Sequence, residues 1–174
     1  MRLSQALPNW IPLKLDLSRF GESNPIREVW DRLSGLPGGT IIFSRFLGML
    51  APYSGTIKAH VVELRHGYAR VLMEDRRAVR NHLDSVHAIA LINLAEITTG
   101  VAMMYGIPDD ARGILRGLSI EYLKKARGTI QGECHVDPPD SNEKRAYTVE
   151  AVLTDTNGEL VARAKADWLI GPKR

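Results

Sequence analysis

The sequence predicts an α+β domain in which an antiparallel sheet of about six strands wraps around one long helix, with extra N-terminal helices. After residue 55, apolar and polar residues alternate with a period of two, which is typical of antiparallel strands with one wet face. Within this region lies a stretch, 85–105, that is apolar on nearly every side. Such a helix must be surrounded by other elements rather than laid on a surface.

Length and composition restrict the class of protein. The 174 residues fit one domain, 1–174, with a helical extension over 1–52 and a core over 53–170. An apolar content of 44% and a charged content of 25% are ordinary for a soluble globular protein. The single cysteine, Cys134, cannot form an internal disulfide, so we expect a reducing compartment and a cytoplasmic protein.

The charge and hydropathy patterns exclude two kinds of partner. The net charge of +3 is small and the basic residues are scattered among acids, so we expect no nucleic-acid partner. We find no stretch of the ~18 apolar residues that a membrane span needs, and therefore expect no stable membrane insertion. Pro8 and Pro12 interrupt the first residues early, which argues against a signal peptide.

The N-terminal third is predicted to be an irregular arm, 1–23, followed by two helices. Asn24 is a suitable N-cap, and Pro25 a suitable first residue, for the first helix. The second helix, 40–50, is apolar and ends before Pro52. A core-packing helix is the simpler interpretation of this segment. The alternative is a contact with a membrane interface or an acyl chain.

The remaining elements are a hairpin, a long helix and four further strands. Apolar residues alternate over 57–61 and 69–73 around the His66-Gly67 turn. The long helix is expected from about Ser85, with Asp84 and Ser85 as its capping residues. The later strands are predicted to place on one face Ile114, Leu118, Ile120 and Tyr122; Ile130, Cys134 and Val136; Tyr147, Val149, Ala151 and Leu153; and Leu160, Ala162, Ala164, Ala166 and Trp168.

The long helix contains one carboxylate, Glu96, within its apolar sequence. Burying an unpaired ionised carboxylate is costly, so Glu96 needs either a structural partner or a catalytic role. His87, at the helix start, is nine residues away. Nine residues turn a helix by ~900° and advance it by ~13 Å, so the two side chains point to opposite sides and cannot meet in one chain. In a two-fold dimer, Glu96 of one subunit can face the helix start of the other.

Spacing around this helix resembles a known family. Asn81 stands six residues before His87, and Leu94-Ala95-Glu96 places an acid nine residues after it. With the later Tyr122–Gly128 segment, this pattern resembles the hotdog-fold thioesterase superfamily over about 55–170, and most closely its phenylacetate-degradation-type acyl-CoA thioesterases. The chain would belong to an uncharacterised subgroup with an N-terminal helical extension.

The chain departs from the family pattern at the helix start. The family's His-Gly-Gly is His87-Ala88-Ile89 here, and Lys125 replaces a proline in the later segment. Ala88 retains the backbone N–H that polarises the thioester carbonyl in related enzymes. Ile89 narrows the approach for a substrate and bears on the substrate class.

The resemblance implies hydrolysis of acyl-CoA thioesters at a site shared by the subunits of a homodimer or homotetramer. Glu96 would act as general base or as nucleophile, and the Ala88 amide would polarise the carbonyl. Asn81 would position water or bind the carbonyl, with a turn-forming role as an equal alternative. His87, also a candidate catalytic residue, would orient the loop or bond a backbone carbonyl, with a structural loop histidine as the favoured alternative.

A CoA thioester also needs partners for its phosphates. Lys124, Lys125 and Arg127 are candidates, and a solvated surface position is the alternative for each of them. The five histidines show no metal-ligand spacing, so neither a metal nor a cofactor is expected. A second function remains open: a non-catalytic acyl- or lipid-binding hotdog protein, in which the loss of the glycines marks a lost reaction.

Overall fold

The structure is a computed structural model that describes residues 23–173, so the arm predicted over 1–23 lies almost wholly outside the described residues. The predicted elements are confirmed in kind and order over this range. Short 3-10 turns cover Ser54–Ile57 and Arg77–Val79. The helices and strands are α1 (Pro25–Leu33), α2 (Gly39–Leu50), β1 (His60–Arg65), β2 (Tyr68–Met73), α3 (Ala88–Gly106), β3 (Ala111–Tyr122), β4 (Ile130–His135), β5 (Arg145–Thr154) and β6 (Leu160–Pro172).

The strands form one antiparallel sheet in the order β1-β2-β4-β5-β6-β3. This order leaves β1 and β3 at the two edges. The helix α3 contacts every strand of the sheet, and its buried residues join the apolar face of the sheet in one core. The prediction of a sheet wrapped around a single central helix is therefore confirmed.

Two glycines allow α3 to approach the sheet closely. A Cβ at Gly132 on β4 would lie 2.5 Å from Thr98 Oγ1, and one at Gly100 would lie 3.2 Å from the Trp168 ring. The Trp168 indole also donates a hydrogen bond to Thr99 Oγ1 at 3.3 Å. These contacts fix the rotation of α3 and therefore the direction in which its polar residues point.

The expectation that no segment is apolar enough to span a membrane is wrong for α3. This helix has 19 residues and passes that test by length and composition, while 61% of its apolar window is buried within the fold. Burial against the sheet accounts for this composition, because a helix surrounded by apolar partners needs no polar face.

The N-terminal helices pack onto the core as one unit. The Asn24 side chain caps α1 by accepting from the Arg27 amide at 3.3 Å, and its Nδ2 donates to the Met104 carbonyl at 2.5 Å. Trp30 of α1 meets Phe43 of α2 edge-to-face, with ring centroids 5.0 Å apart. The predicted cap is confirmed, and Phe43 and Phe46 of α2 pack in the core, whereas Ile41 and Leu50 of the same helix are partly exposed.

Two predicted boundaries are wrong. Ile57 belongs to a 3-10 turn rather than to β1, since Lys58 has a left-handed φ of 52° that interrupts an extended strand. The helix α3 begins at Ala88, and its N-cap is His87 rather than Asp84 or Ser85.

The face prediction for β3 is also wrong at two of its four residues. The register of β3 against β6 shifts between Leu115 and Gly117, so a bulge reverses which side chains point inward. Leu115 therefore packs against the core, whereas Ile114 is 48% exposed. Tyr122, where β3 ends, is exposed as well, and the other predicted strand faces agree with the burial pattern.

Candidate functional site

Glu96 lies in the middle of α3 and points out of the core toward the N-terminal helices. Ser54 Oγ donates a hydrogen bond to its Oε2 at 3.2 Å. Burial raises the pKa of Glu96, and the hydrogen bond from Ser54 opposes that rise in part. The carboxylate therefore has a single side-chain donor among the described residues and retains a proton more readily than an exposed glutamate does.

A cavity of about 1010 Å³ adjoins Glu96, between α2 and α3. Apolar side chains of α1, α2, α3 and β6 form one part of its wall, and polar groups of α2 and the β1–β2 hairpin region form another. Its size lies at the upper end of small-molecule sites, which are typically ~300–1,000 Å³. The residues that line it include Ile26, Ile41, Arg45, Leu47, Leu50, Ser54, Lys58, His60, Glu74, Glu96, Ile97, Gly100, Val101, Met104 and Trp168.

The start of α3 leaves one amide without an acceptor. His87 caps the helix, because its Nδ1 accepts from the Ile89 amide at 3.0 Å and its carbonyl accepts from the Ala90 amide at 2.9 Å. The Ala88 amide donates to no acceptor within residues 23–173. An unpaired N–H at the positive end of a helix is a suitable donor to an anion.

Asn81 holds the loop that precedes α3. Its side-chain Oδ1 accepts from the Leu83 backbone amide at 2.9 Å and from Ser85 Oγ at 3.1 Å. Its backbone N–H donates to the Ser85 carbonyl at 2.9 Å. The sequence left two roles open for Asn81, a turn-forming one and a functional one. Its contacts within this chain are those of a turn-forming residue.

The three predicted phosphate ligands have different surroundings. Lys124 forms ion pairs with Asp155, at 2.7 Å, and with Glu159, so its charge is already compensated. Arg127 Nε donates to the Asp84 carbonyl at 3.2 Å, which places it beside the loop before α3. Lys125 is exposed.

The family model for the domain of unknown function DUF4442 matches residues 39–170. The chain belongs to this family. Comparison with curated proteins found no match. Among solved structures, the protein APC5556 is 33% identical, with a TM-score of 0.73 over 84% of this chain and 98% of that one.

Two further structures are named as thioesterases. A protein of Pseudomonas aeruginosa, PA5026, named a probable thioesterase, is 25% identical, with a TM-score of 0.67 over 79% of this chain and 97% of that one. A thioesterase family protein of Silicibacter pomeroyi is 17% identical, with a TM-score of 0.64 over 74% and 96%. The DUF4442 chain has the hotdog fold, as its resemblance to that superfamily implied.

The DUF4442 chain separates its predicted site residues into two groups. Asn81, His87, Ala88 and Ile89 lie at or just before the start of α3, whereas Glu96 faces the cavity. Eight residues of helix, ~12 Å of rise, separate the Ala88 amide from Glu96. The prediction that the acid and the helix start cannot meet within one chain agrees with this placement.

Sequence reasoning missed the partner of Glu96 and the origin of the cavity wall. Ser54 follows α2 by four residues, and no motif connects it to an acid on a helix 42 residues later. A Cβ at Gly55 would lie 2.8 Å from Gly48 Cα, so two glycines let this turn fold back onto α2. That pair of glycines was the one available signal of a close approach.

Proposed function

We propose that this DUF4442 domain hydrolyses acyl-CoA thioesters at a site that two subunits build together. The observation that carries the proposal is that the chain holds both a half-buried carboxylate with one side-chain donor at a cavity and an unpaired helix-start amide among its described residues. Thioester hydrolysis requires these two elements, an activated nucleophile and a donor for the developing oxyanion.

Glu96 supplies the base or the nucleophile. Burial raises its pKa, which makes the ionised carboxylate a stronger base than an exposed glutamate, and the hydrogen bond from Ser54 opposes this rise in part. As a general base, Glu96 would take a proton from water as the water attacks the thioester carbonyl. As a nucleophile, it would form an acyl-enzyme anhydride that water then cleaves.

The Ala88 amide would receive the oxyanion. Its N–H lies at the first position of α3, where the helix dipole adds a positive potential. His87 would position this amide by holding the Ile89 amide, and Asn81 would do so by fixing the preceding loop. Arg127, beside the same loop, is the candidate cation for a CoA phosphate.

The edge strand β3 supports a dimer. On the opposite edge, Ser44 of α2 accepts a hydrogen bond from the Val61 amide of β1 at 2.9 Å, so a helix partly covers β1. No described element covers β3, and an uncovered edge strand is a template for pairing with a second chain. Tyr122 at the end of β3 donates to the Ala88 carbonyl at 2.9 Å, which places the helix start beside this edge.

Exposed apolar side chains lie in the same region, and they add to the case for a dimer. Ile89, Ile114, Tyr122 and Leu123 are each at least 44% exposed. Burying such residues at a subunit contact would remove apolar surface from water.

An acyl-binding protein without activity is the second candidate function. Ile89 favours it, since this side chain is 52% exposed beside the Ala88 amide, where the thioesterase pattern has glycine. A side chain there obstructs the approach of a thioester more than it obstructs a chain bound in the cavity.

The deciding experiment is hydrolysis of short, long and aryl acyl-CoAs by the wild type and by Glu96→Gln. We expect turnover by the wild type and a loss of at least about a hundredfold in Glu96→Gln. Absence of turnover on every substrate, together with tight acyl-CoA binding, would establish the binding protein instead.

A mixing experiment tests whether the site is shared. Glu96→Gln and Ala88→Pro each remove one half of the site, and mixed dimers regain one site with both native halves. Random exchange of subunits would restore roughly a quarter of the wild-type activity. Mixtures that stay inactive despite demonstrated subunit exchange would contradict a site built from two subunits.

A further inference from the structure

The structure assigns the choice of acyl chain to the N-terminal extension: we infer that the cavity between α2 and α3 holds an unbranched acyl chain of about ten carbons. This inference rests on the proposed function, because it takes the thioester carbonyl to lie at Glu96. The length of the chain follows from the residues that form the wall of the cavity.

One face of α3 lines the cavity from Glu96 to Met104. Ile97, Gly100, Val101 and Met104 follow Glu96 at helical spacing, and all of them line the cavity. Beyond Glu96 this face carries no charged side chain. A chain that begins at the carboxylate would therefore run along an apolar surface.

The far end of this face lies under α1. The Met104 carbonyl accepts from the Asn24 side chain at 2.5 Å, and Ile26 of α1 lines the cavity. Eight residues of helix separate Glu96 from Met104, which corresponds to ~12 Å. An extended chain advances ~1.25 Å for each C–C bond of ~1.5 Å, so ~12 Å accommodates about ten carbons.

The opposite wall belongs to α2. Ile41, Leu47 and Leu50 line the cavity from this helix, and Ser54 in the turn after it holds the acid. The close contact between Gly48 and Gly55 ties that turn to α2. The helix α2 therefore forms one wall of the cavity, and the turn after it supplies the hydrogen bond that holds the carboxylate.

The polar part of the wall does not oppose this assignment. Apart from Glu96, the polar side chains of the wall lie outside α3. Arg45 belongs to α2, Lys58 and His60 lie just before and at the start of β1, and Glu74 follows β2. None of them lies on the apolar face of α3 between Ile97 and Met104.

The test is the chain-length profile of hydrolysis, from acetyl-CoA to palmitoyl-CoA, for the wild type, Leu47→Trp and Met49→Trp. Leu47 lines the cavity, whereas Met49 lies on the same helix, is 39% exposed and is absent from the lining. We expect a wild-type optimum near ten carbons. Leu47→Trp should lower kcat/KM for decanoyl-CoA about tenfold or more and change the chain-length profile. Met49→Trp should keep the wild-type profile.

Leu47→Ala keeps the inference falsifiable if the tryptophan variant does not fold, because a wider cavity should move the optimum to longer chains. An unchanged profile in both folded Leu47 variants would overturn the inference, as would a wild type that prefers acetyl or aryl thioesters. Either result would leave the thioesterase proposal standing.

Failure of the thioesterase proposal has a different signature. The wild type would then hydrolyse no thioester, and calorimetric titration with decanoic acid would test the cavity by itself. Binding that Leu47→Trp abolishes and Met49→Trp preserves would support the assigned cavity. Equal binding by the two variants, or none by the wild type, would overturn it.

Discussion

Replacing Ala88 by proline is the sharpest test of the oxyanion donor, because it removes the N–H group and little else. Ala88 is the first residue of α3, the position at which a helix tolerates proline best. His87 before it has φ −66° and ψ 140°, an extended conformation that a following proline favours. Since the Ala88 amide has no acceptor among the described residues, its removal breaks no hydrogen bond of this chain.

The expected magnitude follows from the role of that amide. Loss of one oxyanion donor typically lowers kcat by ~10²–10³, or ~2.7–4 kcal/mol of transition-state stabilisation. The free energy of unfolding should change by less than about 1 kcal/mol, because proline is preorganised at the first helical position. Ala88→Gly keeps the N–H and restores the family residue, so it should retain activity.

The assay is steady-state hydrolysis of the best acyl-CoA substrate, with urea denaturation of each variant. Activity in folded Ala88→Pro within threefold of the wild type would refute the assignment of the oxyanion to this amide. Ala88→Gly retains the N–H donor, so a loss of activity in Ala88→Gly as large as that in Ala88→Pro would also refute the assignment.

Three further predictions concern the cap, the acid and the extension. His87→Ala removes the acceptor of the Ile89 amide and should cost ~0.5–2 kcal/mol in urea denaturation, while His87→Asn should restore stability and activity. The pKa of Glu96 is raised in the folded state, so the fold loses stability as pH rises from the ordinary value of 4.5 through the folded-state pKa. Glu96→Gln should therefore be more stable than the wild type at pH 7, and its melting temperature should depend less on pH. Phe43→Ala leaves a cavity beside Trp30 and should cost ~3–5 kcal/mol; a cost below 1 kcal/mol would mean that the extension is not part of the core.

Periodicity predicted most of the fold because the two kinds of element have distinct hydrophobic repeats. The strands alternate with a period of two and α3 is apolar all round, and neither pattern depends on the neighbours in space. The bulge in β3 escaped prediction because it changes the pairing by one residue without changing the local composition. Ile114 therefore reads as a core residue in the sequence and is exposed in the structure.

The candidate site was predictable only in part, since it depends on contacts distant in sequence. Glu96 could be found because a charge within an apolar helix is an exception that needs a cause. Ser54 could not be found, because its bond to Glu96 depends on how the turn after α2 folds back. His87 caps α3, whereas the predicted cap was Asp84 or Ser85.

Two other carboxylates of this chain show what a structural acid looks like here. Asp155 accepts from Lys124 and from the amides of Asn157 and Glu159, and these bonds lower its pKa, that from Lys124 most. Asp75 accepts from Arg80 and from the Gly128 amide, with the same effect on its pKa. Each is held by a cation and by backbone donors, as expected for a carboxylate that stabilises a loop.

Glu96 has the opposite surroundings. Among residues 23–173 it has no cationic partner and its one hydrogen-bond donor is the Ser54 hydroxyl, and burial shifts its pKa upward instead of downward. A carboxylate in this position costs stability, so a fold that needed only packing there would be better served by glutamine or an apolar residue. A cost of this kind is typical of a group whose task is chemical, since a general base works best with its pKa close to the working pH. The stability gained and the activity lost in Glu96→Gln would measure the two sides of that trade-off in one variant.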